Sequence, residues 1–537
     1  MSARPLPVST PAAQGVDAAG IHAFLDAVEA APDIEPHSLM ILRHGHLVAS
    51  GWWAPYTPDR RHLLYSLSKS FTSTAAGFAA TEGLLRLDDP VISYFPEFEA
   101  DITDPRSRAM LVRHVAAMAS GHLEETYATS IRRDRDEIVR GFLLFPPDRD
   151  PGTVFAYNQP CTYALAAIIQ RVSGQSLTEY LRPRLFDPLG IGETAWLQRP
   201  PGRDLGFSGL HATTDAIARL GQFYLQDGVW EGRRLLPSSW IAEATRAHIS
   251  TADGSREGAQ SDWQQGYGYQ FWRSRHGYRG DGAYGQFCLV LPEHDAVIAT
   301  TAATDDMQGL LNLVWRHLLP AFGAEPLPAE SLAVEPLPAE RLPAEPLATE
   351  PLPVEPLPAE PLATEPLPVE PLPAEPLPAE PLPGTADEGL RRRLAELALP
   401  PVEASPEPPA RGDDWRGAVF APEDGECPQQ RTLTGVTVTA DADGKGWGVS
   451  LAEDDELIEL RLGATGWTVD VGGPPTAVSG GWTDQDTLRL DVLFLETPHR
   501  LTVTCSLPDG TFTVRWHTTP IHGGRLHSLR APVGDRV

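Results

Sequence analysis

Lysine is nearly absent from this sequence. Among 43 basic residues in 537 positions, only Lys69 and Lys445 are lysine, and the others are arginine. Arginine keeps its proton in proteins, whereas burial or positive neighbours can make a lysine amine neutral. Lys445 falls in a predicted turn, where a solvated charge explains it. Lys69 lies in the stretch 66–70. A lysine in place of the usual arginine there indicates a side chain that can become neutral and accept a proton from another group.

Cysteine pairs and long apolar runs are also lacking. The four cysteines are far apart and form no Cys-x-x-Cys pair, so neither a zinc site nor a disulfide framework is expected. No stretch approaches the roughly 20 apolar residues of a membrane span, and the N-terminal segment has no signal-peptide core. We therefore expect a soluble, cytoplasmic protein without a metal, a cofactor or a membrane partner.

Positive charge is scarce overall, and the formal net charge is -29 at pH 7. A nucleic-acid partner is not expected, because no basic stripe is available to neutralise phosphates. Much of the negative charge lies in one segment. From Glu325 to Glu380 a glutamate recurs at every fifth position, twelve in all, offset only by Arg341.

Residues 323–384 repeat a pentad of the type Pro-Ala-Glu-Pro-Leu. A pentad with one or two prolines cannot sustain the hydrogen bonding of a helix or a sheet, so polyproline II or an extended, disordered chain is expected. We interpret this segment as a stiff acidic linker. A proline-motif ligand for an unidentified protein partner is the functional alternative.

The linker separates a first unit, residues 1–322, from a C-terminal unit, residues 385–537. Helical and strand patterns alternate in the first unit. The sequence there predicts a hairpin at 36–53, helices at 66–83, 162–174 and 308–322, and two strands within 286–302.

The C-terminal unit has a different pattern. It opens with a short predicted helix at 388–399. Apolar residues then recur with a period of two, as from Leu488 to Phe494 and from Phe512 to Trp516, which is typical of antiparallel strands. A small all-β barrel or sandwich is expected.

Ser66 and Lys69 lie three residues apart on a predicted helix, so their side chains share one face, with Ser66 at the N-terminal end. A neutral amine one turn away can act as the base for a serine nucleophile, and the helix N-terminus favours the negative charge that develops. Ser-x-x-Lys alone is a weak signal, and a helix-capping serine beside an exposed lysine is the alternative. The scarcity of lysine strengthens the catalytic interpretation.

A second element lies at 153–169, where Tyr157, Asn158 and Gln159 precede a predicted helix. In a serine-lysine site a tyrosine can relay the proton to the leaving group, while an amide orients the substrate. A core tyrosine followed by a helix-capping asparagine is the alternative interpretation.

A third element is the stretch 277–285, which holds four glycines in nine residues at the edge of a predicted strand. Glycine costs conformational entropy there but allows a close backbone approach. Such a strand can bind substrate through its main chain near Gly282 and Ala283 and donate an N–H to an oxyanion, while Arg279 can bind a carboxylate. A glycine-permitted bulge without function is the alternative.

In this order, the three elements resemble the serine β-lactamase and penicillin-binding-protein superfamily. The resemblance is to the class C-like branch that includes D-alanyl-D-alanine carboxypeptidases, esterases, D-aminopeptidases and 6-aminohexanoate-oligomer hydrolases, and it covers roughly residues 9–322. It implies an α+β, β-lactamase-like fold, in which an all-α subdomain packs on an antiparallel sheet flanked by helices. It also implies that Ser66 is the acylated nucleophile, Lys69 its base and Tyr157 the proton relay.

Two departures from the family pattern bear on the substrate. The second motif is usually Tyr-x-Asn, but here Gln159 stands where the substrate-binding amide belongs and Asn158 is displaced by one. The third motif usually places Lys or His before its glycine, whereas here Arg279 or Gly280 takes the basic position. That basic residue helps to hold the acidic end of β-lactams in the family, so weak or absent β-lactam hydrolysis is expected.

The sequence therefore predicts a serine hydrolase that acts on a small ester, amide or peptide through an acyl-Ser66 intermediate. The backbone N–H groups of Ser66 and of a residue near Ala283 are the expected oxyanion donors. The alternative is a catalytically silent binding or scaffold protein that uses the C-terminal unit and the acidic linker to bind a partner.

Overall fold

The computed structural model describes residues 5–255, 258–323, 385–409, 412–440, 446–463, 465–521 and 524–532. The predicted acidic linker, apart from Gly323, lies outside the described residues, and so does the predicted turn at 441–444 with Lys445. None of the described helices is long and apolar enough to cross a membrane.

The first unit mixes short strands with helices. Its strands are β1 Glu35–Arg43, β2 His46–Trp52, β3 His62–Leu63, β4 Ala195–Trp196, β5 Leu210–Ala212, β6 Val229–Trp230, β7 Arg233–Arg234, β8 Trp272–Arg273, β9 Tyr278–Gly282, β10 Gln286–Leu291 and β11 Ala296–Ala303. Its α-helices are α1 Ala18–Ala30, α2 Ser68–Thr81, α3 Pro105–Ala109, α4 Val112–Ala116, α5 Tyr127–Arg133, α6 Ile138–Leu143, α7 Gln159–Ser173, α8 Leu177–Leu181, α9 Asp187–Leu189, α10 Thr214–Leu225, α11 Ser238–Thr245, α12 Met307–Leu313 and α13 Leu319–Ala321. Short 3-10 turns include Tyr65–Leu67, which leads directly into α2.

One antiparallel sheet organises this unit, with the strand order β2-β1-β11-β10-β9-β8. Alternate residues of β1 point to opposite faces. Leu39 and Ile41 share a core with α1 and α12, whereas Met40 and Leu42 share a core with α2 and α10. Both faces of the sheet are therefore covered by helices, as expected, and the predicted hairpin at 36–53 is β1 and β2.

Helices α2 to α8 form the all-α part of the unit. Every residue of α2 from Ser68 to Ala79 is buried, and α7 is buried from Pro160 to Gln170. The two helices pack against each other, and α4 and α6 pack on α7. The small residues of α2 allow this close packing, which places its N-terminus between the helices and strand β9.

The C-terminal unit is a nearly closed β-barrel. Its strands are β12 Val419–Pro422, β13 Leu433–Ala440, β14 Trp447–Glu453, β15 Glu456–Leu462, β16 Thr468–Asp470, β17 Thr476–Trp482, β18 Thr487–Phe494, β19 His499–Ser506 and β20 Thr511–Trp516. They follow the order β15-β14-β13-β12-β20-β19-β18-β17-β16, and only the β12 to β20 pairing is parallel among the described strands. Because β15 also lies beside β16 and β17, the sheet curls back on itself.

Side chains fill the inside of the barrel. The alternating residues Leu488, Leu490 and Val492 of β18 are fully buried, as their period predicted, and Phe512 and Trp516 join them in one core. The helix α15 Gly412–Trp415 adds Trp415 to the same core. The barrel is therefore a packed unit, which explains why its strands contain so many large apolar residues.

The predicted helix at 388–399 begins a few residues earlier in the structure. It packs against the first unit, although the barrel follows it in sequence. It is α14, Thr385–Ala395, and Leu390 and Leu394 pack against the first unit beside β2. The segment that follows α14 pairs with the first unit, since the Ala54 N–H donates to the Leu397 carbonyl at 3.0 Å.

A buried ion pair joins the barrel to the first unit. Arg500 Nη1 of β19 lies 2.8 Å from Glu35 Oε2 of β1, and the other oxygen of Glu35 lies 3.2 Å from His37 Nε2. Burial alone raises the pKa of Glu35, but the His37 hydrogen bond and the charge of Arg500 hold it below its ordinary value. Glu35 thus keeps its negative charge inside the interface.

Replacing this arginine is expected to weaken the protein in a pH-dependent way. In Arg500→Met the Glu35 carboxylate stays buried without its guanidinium, so the free energy of unfolding near pH 7 falls by about 2 kcal/mol. The pKa of Glu35 is lower in the folded protein than in the unfolded chain. The charged Glu35 therefore contributes its full stabilisation at pH values above the unfolded-state pKa, and this contribution is lost as the pH falls through the folded-state pKa. The difference in unfolding free energy between Arg500→Met and the wild type is therefore expected to be smaller in acid. Urea unfolding at neutral and at acidic pH measures this difference.

The matched control is Arg489→Met, because Arg489 is exposed on the neighbouring strand β18. It is expected to change the unfolding free energy little at either pH. A deficit of the same size in both variants would contradict the role given to the Glu35 ion pair.

Candidate active site

Ser66 lies at the start of a helix, at the surface between the two parts of the first unit. It is the middle residue of the 3-10 turn Tyr65–Leu67, and its side chain is only partly buried. The N–H groups of a first helical turn have no partner within the helix, so that of Ser66 is available to a ligand. The predicted helix at 66–83 therefore exists, with the serine at its N-terminal end as expected.

Lys69 lies three residues further on and is 1% exposed. Its Nζ is 3.0 Å from Ser66 Oγ, 2.7 Å from Gln159 Oε1 and 2.8 Å from the Phe207 carbonyl oxygen. Burial lowers the pKa of Lys69 to about 7, against the opposing charges of Asp281 and Glu125. The amine therefore loses its proton readily near neutral pH.

The three contacts can serve both the ammonium and the neutral amine. A neutral amine has two N–H bonds and one lone pair, and it can donate only twice. The Gln159 and Phe207 oxygens can only accept, so they take the two N–H bonds. The ammonium form donates to Ser66 Oγ as well, and once that proton is lost the lone pair of Nζ faces the Ser66 hydroxyl, which can then donate to it. This geometry is that of a serine with a general base.

Hydroxyl residues of α2 hold the surrounding segments in place. Thr72 Oγ1 donates to the Gly206 carbonyl at 2.9 Å, beside the Phe207 carbonyl that binds Lys69. Ser68 Oγ accepts the Leu210 N–H at 3.0 Å. The segment that supplies one acceptor for the amine is thus fixed to the same helix as the amine.

Tyr157 lies beside the same amine, with its ring facing Lys69 Nζ. Lys69 Nζ is 4.7 Å from the centroid of the Tyr157 ring, which stacks on Trp272 at 5.3 Å. Burial and the charge of Asp281 raise the pKa of Tyr157, and hydrogen bonding to Ser66 and Trp272 opposes them only in part. Tyr157 is therefore a protonated phenol that can donate its hydrogen.

The two neighbouring amides have different environments. Gln159 is partly exposed, and its oxygen binds Lys69. Asn158 is fully buried, and its Oδ1 accepts from the Thr126 N–H at 2.8 Å and from the Thr126 hydroxyl at 3.0 Å. Of the two predicted substrate-binding amides, only Gln159 reaches the site, because Asn158 ties two backbone segments together inside the helical part.

Strand β9 runs close beside the Ser66 segment. A methyl group on Gly282 would lie 2.1 Å from the Leu64 carbonyl oxygen, and one on Gly280 would lie 2.3 Å from Leu67 Cδ1. Glycine is therefore required at position 282, where the contact is with backbone, and favoured at position 280, where the contacts are with side-chain atoms of Leu67 and Ser70. Ala283 follows directly, at the end of the strand that faces the start of α2.

Arg279 has a different setting from the one the sequence led us to expect. It is fully buried, and its guanidinium binds Asp281 at 2.8 Å, the Asp262 carbonyl at 2.8 Å and Ser274 Oγ at 2.7 Å. Its charge already has a buried counter-charge. This placement disfavours the predicted binding of a substrate carboxylate by Arg279.

Asp281 is the site residue that the sequence analysis missed. It precedes Gly282, and its charge acts on both Lys69 and Tyr157. The sequence did contain an indication of this contact. Residues two apart on a strand share a face, so Asp281 is expected beside Arg279. The Phe207 carbonyl carried no such signal, since any residue type can offer a main-chain oxygen.

The profile of the Beta-lactamase family matches residues 24–318, more than half of the chain. The chain therefore belongs to the Beta-lactamase family, which confirms the resemblance of its motifs. The 6-aminohexanoate-dimer hydrolase of Paenarthrobacter ureafaciens is 29% identical over 300 residues, which cover 51% of this chain and 76% of that protein. The lovastatin esterase of Penicillium rubens is 27% identical over 191 residues, 31% of this chain and 48% of that protein.

One of the solved structures to which this chain is similar is the octameric penicillin-binding protein homologue from Pyrococcus abyssi. The match covers 93% of this chain and 99% of that one, at 15% sequence identity and a TM-score of 0.43.

The neutral state of Lys69 can be observed directly, because the chain holds only two lysines. A protein labelled with side-chain [13C]lysine gives two lysine signals, and Lys445→Arg removes one and so assigns the other. The signal of Lys69 is expected to titrate with a midpoint near 7, because burial disfavours its charged form. A Lys69 signal that stays protonated up to about pH 10 would contradict this.

Proposed function

We propose that this chain is a serine hydrolase that acts on an ester or an amide through an acyl-Ser66 intermediate. The observation that carries the proposal is the buried amine of Lys69, whose two carbonyl partners leave its lone pair for the Ser66 hydroxyl. A cytoplasmic location stays a prediction.

The first half of the reaction acylates the serine. Lys69 Nζ takes the proton of Ser66 Oγ as this oxygen attacks the substrate carbonyl carbon. The carbonyl oxygen becomes an oxyanion, which the N–H groups of Ser66 and Ala283 stabilise. The carbon–heteroatom bond then breaks, and the leaving group takes a proton that Tyr157 donates and Lys69 replaces.

The second half releases the product. Water attacks the acyl carbon and gives its proton to the Tyr157 and Lys69 pair, and the bond to Ser66 Oγ breaks with return of a proton to that oxygen. The same oxyanion donors serve both halves. The neutral amine and the protonated phenol that these steps need are the states that burial favours in both residues.

The charges around the site bear on the substrate. The charged groups that act on the Lys69 amine are the acidic side chains Asp281 and Glu125, and Arg279 is bound to Asp281. Because Asp281 already binds the Arg279 guanidinium, Arg279 does not offer its charge to a carboxylate near the scissile bond of an acyl donor. A neutral ester or amide is therefore favoured, and weak or absent β-lactam hydrolysis is expected. The names of two relatives, a 6-aminohexanoate-dimer hydrolase and a lovastatin esterase, support a hydrolytic activity.

Covalent labelling tests the nucleophile and its base. A fluorophosphonate probe is expected to modify wild-type protein at Ser66, and Ser66→Ala is expected to remove the adduct. Lys69→Arg places a permanently charged guanidinium at this position, which cannot accept a proton, so labelling and p-nitrophenyl ester turnover fall about a thousandfold or more. Lys445→Arg is the matched control, because it removes the other lysine and is expected to behave as wild type.

The same experiment separates the enzyme from the scaffold alternative. Labelling that survives Lys69→Arg would overturn the role of Lys69 as base. Wild-type protein that forms no adduct on Ser66 with the probe or with activated esters, as judged by mass spectrometry, would favour the silent binding protein.

The pH profile tests the electrostatic environment of the amine. Since the neutral amine is the active form, kcat/KM is expected to rise with pH through about 7 in the wild type. In Gln159→Glu a carboxylate replaces the amide beside Lys69, which raises the pKa of the amine and moves the rise upward by about 1 to 3 pH units. Gln175→Glu adds the same charge at an exposed position and is expected to leave the profile in place. A pH profile that is unmoved in both variants would contradict a base whose pKa is set by burial and by the charges beside it.

A further inference from the structure

Three aromatic side chains from the two units meet beside the nucleophile. Tyr65 and Tyr284 belong to the first unit, and His499 is the first residue of β19 in the barrel. The ring centroids of Tyr65 and Tyr284 are 5.6 Å apart, and His499 lies 5.9 Å from Tyr65 and 5.6 Å from Tyr284, all edge to face. We call these three residues the aromatic triad.

A hydrogen bond with a defined direction links two members of the aromatic triad. His499 Nδ1 lies 2.9 Å from the Thr518 carbonyl oxygen, which can only accept, so Nδ1 carries the ring hydrogen. His499 Nε2 then accepts from the Tyr65 hydroxyl at 2.6 Å. Burial lowers the pKa of His499 to about 4, which keeps the ring neutral and preserves this arrangement at neutral pH.

Each tyrosine of the aromatic triad adjoins a proposed oxyanion donor. Tyr65 immediately precedes Ser66, and Tyr284 immediately follows Ala283. The donor N–H groups therefore move with these two residues. A change in the position of either tyrosine changes where the adjoining N–H points.

The backbone at both tyrosines needs support. Tyr65 has φ 47° and Tyr284 has φ 68°, in the left-handed region that residues other than glycine rarely adopt. Such a conformation persists only when the surrounding structure holds it. The barrel supplies contacts to both, since the Tyr65 hydroxyl binds His499 and the Tyr284 hydroxyl donates to the Thr519 carbonyl.

A main-chain contact strengthens the same junction. The Leu63 N–H, two residues before Tyr65, donates to the Glu496 carbonyl oxygen of the barrel at 2.8 Å. The chain leading to Ser66 is thus held by the barrel through its backbone at Leu63 and through its side chain at Tyr65.

We propose that the barrel is a part of the active site and that His499 is its positioning residue. By holding Tyr65 and packing against Tyr284, His499 fixes the relative placement of the Ser66 and Ala283 N–H groups that receive the oxyanion. His499 itself touches neither substrate nor reacting atoms. This inference rests on the proposed serine hydrolase function.

The experiment uses full-length variants that remove only one side of the hydrogen bond. His499→Phe keeps a ring but removes the acceptor, and Tyr65→Phe keeps the ring but removes the donor. His499→Gln restores an acceptor through its amide oxygen. His527→Phe is the matched control, because His527 lies on the barrel with its side chain 41% exposed.

The kinetic result expected is a loss in kcat with little change in KM. Misplacing an oxyanion donor lowers kcat for p-nitrophenyl esters by about 10- to 100-fold in His499→Phe and in Tyr65→Phe, with KM within about threefold of wild type. Since both substitutions break one interaction, the double variant is expected to be no slower than the slower single one. His499→Gln recovers most of the rate, and His527→Phe matches wild type.

A second measurement does not depend on activity. Hydrogen exchange is expected to accelerate in the segments 60–72 and 278–290 of His499→Phe and Tyr65→Phe, and to stay at the wild-type rate in His527→Phe. A purely global loss of stability would instead accelerate exchange throughout the protein.

The outcomes separate this inference from the proposed function. If Tyr65→Phe and His499→Phe keep the wild-type kcat and exchange, the positioning role is overturned while the hydrolase stands. If wild-type protein neither labels nor turns over esters, the hydrolase fails, and exchange alone decides whether His499 holds the two segments. If His499→Phe does not fold, Tyr65→Phe decides, and wild-type behaviour of that variant overturns the inference.

Discussion

The site depends on one constraint, which is that the Lys69 amine is buried away from water. An exposed lysine at position 69 would stay protonated at neutral pH and could take no proton from Ser66. The fold therefore encloses Lys69 with α2, α7 and the segment at Phe207, and it offers the amine two neutral oxygens instead of a carboxylate contact. The extensive burial of α2, with its small hydroxyl residues, follows from the same requirement.

Local patterns were enough to predict much of the fold and the pairing of Ser66 with Lys69. The β1 to β2 hairpin, helix α2 and the alternating strands of the barrel each follow from the period of neighbouring residues, and the spacing of Ser66 and Lys69 placed both on one helix. The family resemblance then supplied the α+β architecture, which the Beta-lactamase profile confirms.

Long-range pairings could not be predicted in this way. Strand periodicity places Asp281 beside Arg279, but the sequence does not show that the Asp262 carbonyl also binds the guanidinium or that Arg279 is fully buried. Asn158 and Gln159 carry the same side-chain amide group, so the sequence does not distinguish them. Only Gln159 faces the amine, because α7 begins at Gln159 and the chain before it turns inward. The position of α14 against the first unit likewise depends on surfaces that are distant in sequence.

The tyrosines and the histidine of the aromatic triad are far apart along the chain. This separation bears on the stage of synthesis at which the proposed active site is fully supported. The acceptor of the Tyr65 hydroxyl is 434 residues further on, in the C-terminal unit, which is synthesised after the first unit. Domains generally fold in the order in which they leave the ribosome, so the first unit emerges with its nucleophile before the barrel that supports it exists. With His499 as the proposed positioning residue, a chain that stops before the barrel is expected to have little hydrolytic activity, so the proposed activity follows the folding of the barrel.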